Sequence, residues 1–321
     1  MFDTGCANVR LAVSLRVKMS HVQARVDPLT VAAIGVALVA VSFSGPLIAF
    51  AAAPALAMAF WRNSLAVGVL GPFTLARRAP ELKALTRRRE GRYSVLAGVA
   101  LAAHFATWMP SIQLTSVATA TALVATQPIW QCLIARGQGR RVPAATWVGT
   151  VLAVAGVAIA TGADFSVAGP ALAGDLLALA GGAMAAVYTA FGERARASVT
   201  TTTYTLVCYS VCAVLLLAGC LVFRIPLVGF SASTWLAILG LVAGAQLLGH
   251  SMFNYALHRV SAGTVSLLIL LEVPGAGLIA WLWLDQVPRV EALPGLVLLL
   301  AGLAVVVVTG SRANRRAAVP A

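Results

Sequence analysis

The stretch AGVALAAHFATW, residues 97–108, is answered 146 residues later by AGAQLLGHSMFN, residues 243–254. The pair Ala97-Gly98 falls on Ala243-Gly244, and His104 falls on His250. Held without a gap from about residue 41 to residue 156, the same offset puts Pro128 on Pro274, Pro80 on Pro226 and Arg78 on Arg224. Alanine or leucine matches carry little information in so apolar a chain, but two of only 4 histidines coincide. The sequence therefore reads as one five-helix pattern written twice. An odd number of spans per copy predicts that the two copies cross a bilayer in opposite directions, as an inverted repeat.

Composition agrees with a membrane. Hydrophobic residues make up 60% of the 321 and charged residues 10%, and the charges cluster in short segments between apolar runs. Those runs are long enough to cross a hydrocarbon layer of roughly 30 Å as helices, which satisfy their own backbone groups in lipid. Spans are expected near 29–50, 54–74, 93–110, 115–135, 144–161, 173–192, 203–223, 233–255, 262–284 and 291–310. The expected fold is an all-α integral membrane protein of ten transmembrane helices in two inverted five-helix repeats. The organisation that follows is a basic cytoplasmic tail at 1–27, a first repeat at 28–161, an extracytoplasmic linker at 162–172, a second repeat at 173–310 and a cytoplasmic tail at 311–321.

Ten spans place both termini on one side, and Lys and Arg choose the side. With the N-terminus inside, cytoplasmic segments collect 20 of the 23 basic residues, seven of them in RRAPELKALTRRREGR, residues 77–92. The outer loops hold Arg224 and Arg289, and Arg62 lies within a span. The reading is a multi-pass protein of the plasma (cytoplasmic) membrane with cytoplasmic termini. The first 27 residues carry Arg10, Arg16, Lys18 and Arg25 but no separate apolar stretch or small-residue cleavage site, so no signal peptide is expected; Met19 is an alternative start. The net charge of +13 is accounted for by topology and by anionic lipid headgroups, and indicates no nucleic-acid partner.

Ionisable residues in mid-span cost about 2.5 to 3.5 kcal/mol each on insertion scales, which makes them functional candidates. Arg62 lies in the second span and Glu272 in the ninth. At the 146-residue offset they correspond to Cys208 and Thr126, so each charge exists in one copy only. An asymmetric cavity between the repeats follows, with Arg62 open to an anionic group and Glu272 able to carry a proton or hold a cation. The competing reading is that the two neutralise each other, or that Arg62 fixes helix packing. In the third span His104, Thr107, Trp108 and Ser111 share a helix face, and in the eighth Gln246, His250 and Asn254 do. Inversion places His104 in the outer half and His250 in the inner half, as gates or proton steps; the plainer alternative is a neutral histidine bonded to a neighbouring helix. The fourth span presents Thr126 and Gln127 with Pro128, its counterpart has Glu272 with Pro274, and the first breaks at SFSGP around Pro46. Proline frees a backbone carbonyl and kinks a helix, which is tolerated where a cavity or polar neighbours receive the freed group.

These residues resemble the EamA-like family of the drug/metabolite transporter superfamily. The resemblance covers residues 30 to 310 and rests on PALAMAFWRNSLAVG (54–68), TALVATQPIW (121–130), LLILLEVPGAGLIAWLWL (267–284) and PGLVLLLAGLAVVVVTG (294–310). It implies a secondary transporter, an exporter of amino acids, other small metabolites or toxic compounds, with protons as the coupling ion. The chain departs from the family where the fourth span ends in IARGQGRR, without the Gly-Glu pair, and the ninth has Asp285. The substrate-binding candidates are Arg62, His104, Thr126, Gln127, Gln246, His250, Asn254 and Glu272, with Glu272 also the proton-coupling residue. An uncoupled flippase of lipid or lipid-linked substrate is the alternative.

A membrane-embedded enzyme would need convergent acids, bases or metal ligands, whereas Asp164, Asp285 and Glu291 are scattered. No Gly-rich Lys-Ser/Thr loop points to ATP. The five cysteines show no metal-ligand spacing. Neither catalysis, a metal nor a cofactor is expected. The partners expected are a small-molecule substrate, the bilayer and protons, with a homodimer as the alternative to a monomer.

Overall fold

Asp27 opens the first helix by accepting a hydrogen bond from the Leu29 N–H, with Pro28 in the first turn, where its missing N–H costs nothing. The computed structural model describes residues 27–115, 117–161, 169–284 and 290–317. They form α1 (Pro28–Ser42), α2 (Ser44–Phe50), α3 (Ala55–Leu85), α4 (Arg89–Leu114), α5 (Val117–Val124), α6 (Gln127–Gly137) and α7 (Ala144–Thr161). The second half follows as α8 (Gly169–Arg196), α9 (Thr201–Val222), α10 (Ala232–Leu241), a π-helix (Val242–His250), α11 (Ser251–Ala256), α12 (Ala262–Ile269), α13 (Glu272–Leu284) and, after a 3₁₀ turn, α14 (Leu293–Ala317). Among the described residues there is no strand.

Among the described residues, seven helical units are long and apolar enough to cross a membrane: Pro28–Ile48, Arg89–Leu114, Gly169–Arg196, Thr201–Val222, Ala232–Ala256, Ala262–Ile279 and Val290–Thr309, with Ala144–Ala160 apolar but shorter. The expected second and fourth spans are helical but fall outside these seven. Arg62 and Asn63 dilute the apolar character of α3, and a break divides α5 from α6. Most of the expected linker, 162–168, and most of the N-terminal tail lie outside the described residues, as do Asp164, Asp285 and Arg289.

The basic stretch 77–92 is largely helical rather than a loop. Helix α3 runs on to Leu85 through a kink at Arg78 (φ −133°, ψ 15°), two residues before Pro80, whose ring clashes with the preceding turn. At the matching point of the second repeat Arg224 takes a positive φ of 52° and ends α9, its neighbour Ile225 donating back to the Cys220 carbonyl at 2.8 Å. Both span helices are thus interrupted two residues before the matched proline.

The packing of α7 against α14 fixes how the repeats relate. Gly149 and Gly156 correspond at the 146-residue offset to Gly295 and Gly302. A Cβ placed on Gly149 would lie 2.7 Å from the Gly302 carbonyl oxygen, and one on Gly156 would lie 2.6 Å from that of Gly295. Each glycine therefore meets its partner's counterpart, not its own. A parallel pair would match Gly149 with Gly295; the crossed pairing requires antiparallel helices exchanged by a two-fold axis across them. Small residues let these backbones touch, which is the main way helices gain contact when both sides are equally apolar.

Candidate functional site

Helix breaks cluster around a central space. Between α1 and α2 the chain turns at Phe43, between α5 and α6 at Ala125 and Thr126, and between α12 and α13 at Leu270 and Leu271. Pro46, Pro128 and Pro274 each fall within the first turns after a break. A Cβ on Gly275 would meet the Ser42 hydroxyl, which would have to turn aside, so the first and ninth span regions lie in close contact.

The space is a cavity of about 590 Å³ with walls from both repeats. Bordering residues toward the end of the molecule that carries the basic segments, such as Tyr188, Asn254, Leu257 and Ser266, are buried. Toward the opposite end Pro46, Ile112 and Ala160 are partly exposed and Gly277 exposed. The cavity thus opens away from the basic end and is sealed toward it.

Of the expected site residues, Arg62, His104, Gln127, His250, Asn254 and Glu272 border this cavity, as does Pro46. Thr126 and Gln246 do not. Thr126 is tied to its own helix, donating to the Leu123 carbonyl at 2.6 Å and accepting from Trp130 Nε1 at 3.1 Å. Gln246 lies in the π-helix, whose i→i+5 bonding widens each turn. Its amide is engaged by Arg62 and Asn63 of α3.

Arg62 is 1% exposed. Its Nε donates to Gln246 Oε1 at 2.8 Å, and its guanidinium carbon lies 4.4 Å from the centre of the Phe105 ring. Arg62 and Glu272 both border the cavity but form no ion pair within 4.0 Å. The two matched histidines both approach the Phe105 ring. His104 lies 5.1 Å and His250 5.8 Å from the Phe105 ring centre. Each sits near the midpoint of its span, where equivalent residues stay close to the two-fold axis. His104 donates from Nδ1 to the Gly181 carbonyl at 2.9 Å, as the plainer alternative expected, and stacks on Trp108.

Two polar layers seal the floor. Gln127 Nε2 donates to Thr189 at 3.3 Å and to Ser266 at 3.1 Å, and Gln131 bonds Thr189 and the Ala186 carbonyl. Tyr188 donates to Asn254 Oδ1 at 2.8 Å, whose amide reaches Tyr209 at 3.5 Å. Below these, beyond the apolar part of α3, the Glu81 carboxylate accepts from the Thr200 N–H at 2.8 Å, the Thr200 hydroxyl at 2.6 Å and the Thr203 hydroxyl at 2.7 Å. Glu81 thereby caps α9 from a helix of the other repeat. Burial alone would raise the Glu81 pKa, but these hydrogen bonds and the nearby Arg78 charge hold it below the ordinary 4.5.

Sequence reasoning missed Tyr188, Thr189, Asn63 and Glu81. Glu81 had a legible signal, an acid amid seven bases; the others had none beyond polarity within a span. Among the described residues no group of three or more His, Cys, Asp or Glu could hold a metal.

No curated protein matches the sequence. A solved structure described only as the crystal structure of a protein shares the fold, with a TM-score of 0.73 at 20% identity over 88% of this chain and 98% of its own. The EamA-like transporter family model matches twice, over residues 28–162 and 172–308, one match for each half of the internal repeat. The chain is a two-repeat membrane protein of the EamA-like transporter family, within the drug/metabolite transporter superfamily.

Proposed function

We propose that the protein is a proton-coupled secondary transporter that exports small metabolites, such as amino acids, or toxic compounds across the plasma membrane. In this reading ten spans cross the bilayer with both termini in the cytoplasm. The observation that carries it is the cavity: bounded by both repeats, open at one end, closed at the other by polar layers, and furnished with one cation and one carboxylate that are not paired. Rocking one repeat against the other would close the mouth and part the floor, exposing the same site to the second side.

Glu272 is the coupling residue in this mechanism. Closure changes the access of water and protons to its carboxylate. Solute binding and protonation then bias the same two-state movement. A volume of about 590 Å³ supports a small solute rather than a lipid with its acyl chains.

The test is metabolite profiling of the medium from cells that overproduce the protein or its Glu272→Gln variant at equal membrane abundance. A compound that accumulates outside only with the unmodified protein is the expected result. Equal release by both proteins would remove Glu272 from the mechanism.

A further inference from the structure

Arg62 is bonded at one atom and open at two. Its Nε is engaged by Gln246 Oε1, while Nη1 and Nη2, both buried, have no hydrogen-bond partner. A guanidinium presents five N–H donors in a rigid plane, and leaving the outer four unmet inside a protein is costly unless something arrives to meet them. Nothing in the resting arrangement does so: Phe105 covers a face of the group, not its edge, and Glu272 is not within ion-pair reach.

The orientation of this fork is set from the other repeat. Gln246 is 0% exposed, and its amide has no freedom to flip. Oε1 must face the Arg62 donor because Nε2 donates to Asn63 Oδ1 at 3.0 Å, and Asn63 in turn donates to the Ala59 carbonyl at 2.8 Å. The chain Ala59–Asn63–Gln246–Arg62 thus leaves α3, crosses to the π-helix and returns to α3 at a residue that borders the cavity.

We propose that Nη1 and Nη2 of Arg62 receive a carboxylate of the transported solute, and that Gln246 is the positioning residue that holds the fork in place. The inference rests on the transport reading above. A carboxylate fits because its two oxygens match the planar fork with two parallel charge-assisted bonds. Charge balance selects it over a phosphate monoester: Arg62 is the sole Arg or Lys among the described bordering residues and Glu272 the sole Asp or Glu. A second negative charge would face Glu272 without a cation of its own. Trp108, Tyr188 and Phe253 border the same space and supply apolar surface for the remainder of the solute. Gln246 itself does not touch the solute; it acts through Arg62.

The experiment uses the full-length protein in lipid nanodiscs and reads the shift in melting temperature with phenylacetate, L-phenylalanine and hexanoate, each beside its own carboxamide, and with phenyl phosphate. At least one carboxylate is expected to stabilise the protein while its amide does not, with phenyl phosphate weaker by about tenfold or more. Binding by none of the carboxylates, equal binding by the amides, or tighter binding of phenyl phosphate would overturn the proposal, and none of these results needs a variant to fold. For the carboxylate that binds, proteoliposome uptake then compares Arg62→Lys, which keeps charge and loses the fork, with Gln246→Leu. Gln246→Leu is expected to raise KM about tenfold with maximal rate within about twofold; an effect on maximal rate alone would refute the positioning role. Carboxylate-selective binding without any uptake would sink the transport reading and leave the site standing. Uptake indifferent to Arg62→Lys would sink the site and leave transport standing.

Discussion

The seam between α7 and α14 and the centre between α3 and the π-helix join the same two repeats in opposite ways. At the seam the repeats still match, glycine for glycine, and the contact exchanges Gly149 with Gly302 and Gly156 with Gly295. At the centre the histidines still match, but the charged and amide side chains do not: at the same offset Arg62 corresponds to Cys208, Asn63 to Tyr209, Gln246 to Ala100 and Glu272 to Thr126. The seam needs only close backbones, which two identical small-residue stripes supply. The centre must bind something with no two-fold symmetry, which identical walls serve poorly. Symmetry in this molecule belongs to the scaffold and the paired histidines, and asymmetry to the charges and amides of the site.

That contrast can be broken most severely at the seam. Gly156→Leu would drive a side chain into backbone atoms of Leu299 and Gly295; an expected loss of about 3 kcal/mol should show as a collapse in monodisperse protein on size-exclusion chromatography. Gly219→Ala, with nothing within 4 Å of the new carbon, is the control expected to behave as wild type.

At the centre the expected damage is to function instead. Glu272→Gln should fold normally and lose pH-driven turnover at least tenfold, about 1.4 kcal/mol or more in barrier. Thr126→Val, at the equivalent position, should leave turnover near wild type, because Thr126 faces its own backbone. If both variants lost coupling alike, the asymmetry would carry no mechanistic weight.

The Glu81 cap sharpens the comparison: it acts at the basic end, and its counterpart in the other repeat, Leu227, has no side chain that can accept. Glu81→Gln should lower stability by about 1 kcal/mol, discounted for partial exposure. Since the folded pKa lies below 4.5, the carboxylate stabilises the fold above that pH and its contribution fades as pH falls through the lowered value. The gap in melting temperature between wild type and Glu81→Gln should therefore be full at neutral pH and narrow below pH 4.5. A gap that widened in acid would reverse the assignment. The smallest effect is expected of Arg140→Gln: the Arg140–Glu193 pair at 3.4 Å has 44% and 26% side-chain exposure, and its loss should change stability by less than about 0.5 kcal/mol.

Much of the scaffold was legible because it is written in rare residues. Matched histidines and prolines revealed the repeat, and the prolines fell beside the breaks. Arg62 and Glu272 stood out because charge in an apolar span is expensive. What stayed hidden depends on packing between helices. A helix-face reading groups Gln246 with His250 and Asn254 as cavity residues, whereas the Gln246 amide is taken up by Arg62 and Asn63 of α3. The convergence of the histidines on Phe105 likewise depends on where the two-fold axis passes, which an offset between two sequences does not specify. Tyr188 and Thr189 have no polar counterparts beyond Ser42, and only packing reveals that they close the floor.

The most direct test of alternating access is to tie the closed end shut. Cysteines at Glu81 and Thr200, joined by a short reducible methanethiosulfonate cross-linker, would hold α3 against the start of α9 in proteoliposomes loaded with the exported solute. Transport should stop on cross-linking and return when the linker is reduced, while the same reagent leaves the wild type and either single substitution, Glu81→Cys or Thr200→Cys, active. Undiminished transport with the link intact would contradict the account, because the basic end would then never need to open.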